Sequence, residues 1–194
     1  MKTKMELVLG TVAFAAFFAY DLNSVRPVRP WFHRLFAVGC ALLAVATGLL
    51  VWNHRKLLQF NTATLGLGVL ALVFLALMIY TLFFALPFSQ TYLEDNAPRR
   101  AYTGGVYALC RHPGVLWFAG AFLCLGLALA TPEAMVFCLA MIGWNVAYVM
   151  FQDRYTFPKS FVNYEEYQHT TPFLLPTPGS VARCVRTWKG GEGR

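Results

Sequence analysis

The fold class predicted is all-α: a polytopic membrane protein with about five transmembrane helices, a C-terminal helical hairpin and a cytoplasmic tail segment. Three observations predict it. Hydrophobic residues make up 58% of the 194 and charged ones only 13%, about half the ~25% charged share of an average soluble domain. Mean hydropathy is +0.52. The apolar residues gather in five runs near the ~20-residue length that crosses a bilayer, divided by short polar breaks that often carry proline.

In chain order, Leu7–Tyr20 is the first span once it reaches back to Met5 and on to Leu22. No small-residue cleavage pattern precedes Asp21, so this reads as a retained span and not a leader. Asp21, Asn23, Arg26, Pro27, Arg29 and Pro30 then make a polar, proline-broken loop. Leu35–Trp52 is the second span, and Asn53–His54–Arg55–Lys56 the turn after it. Ala63–Phe88 is the third and longest, and its length implies tilt. Ser89–Thr103 is polar, with Glu94, Asp95, Arg99 and Arg100. Val115–Ala130 and Ala134–Phe151 are the fourth and fifth spans. Only Thr131–Pro132–Glu133 joins them, which makes a tight antiparallel hairpin. Thr131 fits the N-cap, Pro132 the first turn and Glu133 the positive end of the helix dipole. The hairpin returns the chain to the side it left, bringing His112 and Asp153 to one membrane boundary. In the tail, Tyr164 and Tyr167 share a helical face, and Pro172 and Pro176 frame a short apolar stretch. The organisation is 1–103 for the first three helices and their loops, 104–176 for the hairpin and tail segment, and 177–194 for a flexible basic tail.

Basic residues orient the chain. Of the 16 Lys and Arg, four (Lys2, Lys4, Arg55 and Lys56) fall on one side and twelve on the other. Positive charge stays in the cytoplasm, so the N-terminus is expected outside and the C-terminus and the Arg111–His112 boundary inside. The net charge of +7 is scattered among loops, with no basic face carrying stacking aromatics, so no nucleic-acid partner is expected and anionic membrane lipids account for it. Five cysteines with no C-x-x-C spacing give neither a disulfide framework nor a zinc site, and no metal is expected.

The candidate site centres on Gly104–Gly105, Tyr107, Arg111, His112 and Pro113. Glycines allow tight turns and close approach. Arg111 offers a planar donor fork for a carboxylate or phosphate, and His112 a hydrogen bond or a proton relay. Asp153 and Arg154 follow the fifth span directly, while Glu165 and Glu166 fall on a solvated face.

Gly-x-Tyr-x-x-x-Arg-His-Pro, a helical hairpin, an acidic residue after it, then Tyr164-x-x-Tyr167 and Pro172–Phe173–Leu174–Leu175–Pro176 resemble the isoprenylcysteine carboxyl methyltransferase family, with its phospholipid methyltransferase relatives. The resemblance covers about 104–176. Val106 stands where a proline is common, Val162 where a glycine is, and Asp153 where Glu is usual. The resemblance implies an integral membrane methyltransferase using S-adenosyl-L-methionine, with a lipophilic small molecule or lipid as methyl acceptor at the cytoplasmic face. It assigns cofactor contacts to Tyr107, Arg111, His112, Tyr164 and Tyr167, and places Asp153 and Arg154 at the reacting end. Methyl transfer from a sulfonium needs proximity and alignment more than a metal or a protein nucleophile. Two alternatives stand beside it: a sterol-reductase-like enzyme using NADPH, which shares the Arg-His-Pro helix, and a non-enzymatic membrane accessory protein with a degenerate pocket.

Overall fold

A computed structural model describes residues 2–26, 28–55, 61–85 and 99–189. Expectations for residues 86–88 of the third span, for Glu94 and Asp95, for Lys56 and for 190–194 lie outside the described residues. Helix α1 is Lys2–Val25, α2 Leu35–His54, α3 Thr62–Phe83, α4 Pro113–Leu129, α5 Pro132–Phe151, α6 Phe157–Ser160, α7 Tyr164–Thr170 and α8 Pro178–Lys189. Short 3-10 turns lie at Pro30–Arg34 and Gly105–Ala108, and a π turn at Gln152–Thr156 joins α5 to α6.

Four of these helical stretches are long and apolar enough to cross a membrane, and α4 adds a shorter apolar helix. The chain is an all-α integral membrane protein. Its helices show why: in α3 the large residues Leu65, Val69, Leu72 and Val73 face outward, and Thr81 is the buried residue. Such an apolar exterior is stable against lipid and not against water.

The core forms where α1, α2, α4 and α5 converge, around Phe14, Phe17, Leu50, Phe118, Phe122, Phe137, Met141 and Tyr148. α1 packs on α2 and α5, and α4 on α3 and α5. Small residues permit the close approaches. A Cβ on Gly120 would sit 2.7 Å from the Phe74 ring of α3, and one on Gly39 would meet Phe17 at 2.5 Å and the Ala13 carbonyl at 3.0 Å. Without a hydrophobic force between helices in lipid, such contacts carry much of the association.

The hairpin forms as its sequence dictates. α4 ends with Ala130 in the left-handed region (φ 50°), and Thr131 caps α5 by accepting from the Ala134 N–H at 3.3 Å. Elsewhere the structure corrects the boundaries. Asp21 and Asn23 are not in a loop; both lie buried in the last turns of α1. Asn23 there accepts from the N–H groups of Val28 and Arg29, so its side chain ends the helix from within. α3 stops at Phe83. The fifth span, expected to end at Phe151, runs on through the π turn into α6. Pro158, at the start of α6, cannot donate back to Arg154, and the wider turn absorbs that missing bond.

Residues 178–189, expected within a flexible tail, form α8. Thr177 and Ser180 cap it reciprocally, the Ser180 N–H donating to Thr177 Oγ1 at 3.2 Å and the Thr177 N–H to Ser180 Oγ at 2.9 Å, with Pro178 at the first turn. α8 is held against the Gly105–Ala108 turn, where the Gly105 N–H donates to Thr187 Oγ1 at 2.9 Å. Trp188 also stacks on Tyr80 of α3.

Candidate functional site

The π turn sets the site. It places Asp153 on the inner face of the α5–α6 helix, where the side chain is buried. Opposite it, Pro113 starts α4 with His112 at the N-cap position, and Gly105 (φ 56°) makes the turn that delivers Tyr107. The structure therefore brings together Arg111, His112, Asp153 and Tyr164, which are scattered over more than fifty residues of chain.

Arg111 grips Asp153 with two parallel hydrogen bonds, Nε to Oδ1 at 2.7 Å and Nη2 to Oδ2 at 2.9 Å. Its Nη1 donates to the carbonyls of Gln168 (3.0 Å) and Thr171 (2.6 Å). A guanidinium has five N–H donors, so one is left over. The Asp153 carboxylate also accepts from the Tyr164 hydroxyl at 2.7 Å and from Gln168 Nε2 at 3.3 Å, with His112 Nε2 at 3.2 Å. The His112 ring stacks on Phe157 and meets Phe173 edge-on. Burial opposes the Arg111 charge, but its hydrogen bonds to Asp153 and the field of that carboxylate outweigh this and hold the guanidinium pKa above its ordinary value. Burial, then the Asp153 carboxylate, pushes the Tyr164 phenol well up, so it remains a donor.

A second chain of bonds runs through the tyrosines. The Tyr167 hydroxyl donates to the Tyr107 carbonyl at 2.6 Å, and the Tyr107 hydroxyl to the Thr81 carbonyl at 2.9 Å. Trp117 Nε1 donates to Thr81 Oγ1 at 3.0 Å, completing a link from α7 through the turn to α3 and α4. Burial raises the Tyr107 pKa to about 12. The tail backbone joins in, the Arg111 N–H donating to the Pro172 carbonyl at 2.9 Å.

Two cavities flank Arg111. The larger, about 300 Å³, is lined by aromatic side chains including Phe14, Phe17, Phe118 and Tyr148, with Tyr107, Arg111 and His112 at its polar end. The smaller, about 210 Å³, is bounded by Arg111, Met150, Asp153, Arg154 and Phe173. Arg154 points outward, exposed, and among the described residues it makes no salt bridge. Arg111 and Asp153 thus have internal partners, Tyr107, Tyr164 and Tyr167 spend their hydroxyls within the protein, and Arg154 borders the recess with no salt bridge among the described residues.

The sequence alone did not single out Thr81, Trp117, Gln168 or Asn163. Asn163 both accepts from the Ala101 N–H (2.7 Å) and donates to its carbonyl (3.0 Å), pinning the segment before the glycines to α7. A lone polar residue in or beside an apolar span was the available signal for Thr81 and Trp117; nothing comparable marks Gln168 or Asn163.

The fold and the clasp define the class: an integral membrane protein with a buried ion-pair cluster set between an aromatic cavity and a small charged recess. No family model matches the chain, and no curated protein or solved structure matches it significantly.

Proposed function

We propose that the protein is an S-adenosyl-L-methionine-dependent methyltransferase acting on a lipophilic acceptor at the cytoplasmic membrane face, with its N-terminus outside. One observation carries this: a single side chain, Arg111, borders both an apolar cavity and a charged recess. A reaction between a membrane-soluble molecule and a water-soluble one needs such a boundary.

The residues fit the cofactor with one reassignment. Arg111 is committed to Asp153 and to the tail carbonyls, so it organises the site and is not its main anion ligand. Arg154, beside the recess, is the cation for the methionyl carboxylate, and Phe173 offers an aromatic face. The recess alone is smaller than the ~300 Å³ at which small-molecule pockets usually begin, so a nucleoside of this size would reach past Arg111 toward His112. Tail residues Pro172 and Phe173 close that side, and their contacts with Arg111 and His112 let the tail act as a lid. When bound, the cofactor supplies an electrophilic methyl group. The chain's part is to hold cofactor and acceptor in line, to exclude water with the Phe14, Phe17 and Phe118 wall, and to keep the Asp153–His112 pair ready to take a proton from a protic acceptor.

The test separates Arg154 from Arg111. Arg154→Gln is expected to leave folding unchanged and to weaken S-adenosylhomocysteine at least tenfold in equilibrium dialysis. NADPH is expected not to bind; saturable NADPH binding without S-adenosylhomocysteine binding would favour a reductase. The extent to which Arg111 is internally satisfied favours a second reading, a non-enzymatic accessory protein whose clasp only fixes the tail. Binding of neither ligand would support it.

A further inference from the structure

The larger cavity has a polar character that the methyl-transfer proposal leaves unused. Asn145 and Tyr148 of α5, with Gln152 at the start of the π turn, line it. The Asn145 Oδ1 is buried with no hydrogen-bond partner. Asp21, at the end of α1, lies beside Tyr148 and Gln152; it is 4% exposed, and its Oδ2 also lacks a partner. Among the described residues Asp21 has no salt bridge, whereas the positive charge of Arg111 is matched by Asp153. The two fully buried atoms without a partner at and beside the cavity, Asn145 Oδ1 and Asp21 Oδ2, are thus acceptors, and the unmatched charge is negative. The walls are aromatic: Phe14, Phe17 and Tyr148 lie within 6.5 Å of one another between ring centroids.

We infer that this cavity selects a lipophilic ligand bearing a cationic amine over the matching carboxylic acid. An ammonium supplies an N–H donor to the unpaired Asn145 Oδ1. Its charge compensates a buried carboxylate that is otherwise costly to keep. Aromatic faces attract cations, and the hydrocarbon part fills the apolar remainder. A carboxylate would bring a further acceptor beside Asn145 Oδ1 and a second negative charge beside Asp21. The inference narrows the acceptor under the methyl-transfer proposal to amines, whose ammonium form would first give a proton to the Asp153–His112 pair to free the nitrogen lone pair, but binding itself needs no cofactor, so the two can fail separately.

The experiment titrates the full-length protein, purified in an uncharged maltoside detergent without cofactor at pH 7.5, with decylamine, decanol and decanoate, following intrinsic tryptophan fluorescence. Decylamine is expected to bind at least tenfold more tightly than decanoate, with decanol between. The protein carries a formal charge of +7, so non-specific attraction would favour the acid. Asp21→Asn and Asn145→Leu are each expected to remove at least fivefold of the amine's advantage. Asn145→Leu retains the test if the Asp21 variant does not fold. Decanoate binding as tightly as decylamine, or an amine preference unchanged in the folded variants, would overturn the inference. S-adenosylhomocysteine binding, measured on the same preparation, shows whether the cofactor proposal stands regardless.

Discussion

Asp153 accepts side-chain hydrogen bonds from Arg111, Tyr164 and Gln168 and faces His112. Removing one member of a buried, hydrogen-bonded ion pair strands the other, at a typical cost of about 3–5 kcal/mol. Asp153→Asn is therefore expected to lower stability by about that amount in denaturant titration of the detergent-solubilised protein. Arg111→Lys is expected to be nearly as damaging, because an ammonium cannot make the parallel pair of bonds while also reaching the Gln168 and Thr171 carbonyls. Replacing both partners with apolar residues of similar volume should recover part of the loss. Arg154→Gln, on an exposed side chain, is expected to stay within about 0.5 kcal/mol of wild type. The tyrosine chain predicts an alkaline limit. The folded pKa of Tyr107 is raised, so its neutral hydroxyl contributes stability fully present below the ordinary value of about 10, and lost as pH rises through about 12. Tyr107→Phe should flatten the fall in stability across that window, read from the midpoint of thermal unfolding.

At the scale of elements, the hairpin was legible in the sequence because its signals are local. Thr131, Pro132 and Glu133 each fit their positions without reference to the rest of the chain. The π turn was not, because it answers a clash between Pro158 and the preceding turn in a helix that burial holds together past a polar stretch. Gln152, Asp153 and Arg154 read as the start of a tail; packing against α1 keeps them helical. Asp21 and Asn23 were misplaced for the same reason. Polar residues at a helix end look like a loop until their partners on other elements are known. Helix α8 carries a local capping signal in Thr177 and Ser180, which its basic residues and flanking glycines obscured. Glycine contacts supply a further prediction. Gly39→Val, where a Cβ already meets the Ala13 carbonyl at 3.0 Å, should destabilise by about 1–3 kcal/mol. Gly48→Val, with open space around it, should change stability far less; a difference in unfolding midpoint between the two checks this.

For the whole molecule, the composition together with apolar runs near ~20 residues gave an all-α membrane protein, since too little charge is available to cover a soluble surface. It also gave the return of the chain from Arg111–His112 to Asp153, because a spanning hairpin has to come back. What it did not give was the division of labour among the charges. Arg111 was expected to bind a ligand, but tertiary contacts spend four of its five donors on the protein, and Arg154 borders the recess. Orientation belongs to this scale as well: a fluorescent-protein fusion at the C-terminus should be bright, and a periplasm-dependent phosphatase fused there inactive, if twelve of the 16 basic residues lie inside.

The most direct test is equilibrium binding of S-adenosylhomocysteine to the purified wild-type and Arg154→Gln proteins. Saturable binding at one molecule per chain, weakened at least tenfold in the variant while its unfolding midpoint is unchanged, is the predicted result. No saturable binding to the folded wild type, or equal affinity in both, would contradict the account.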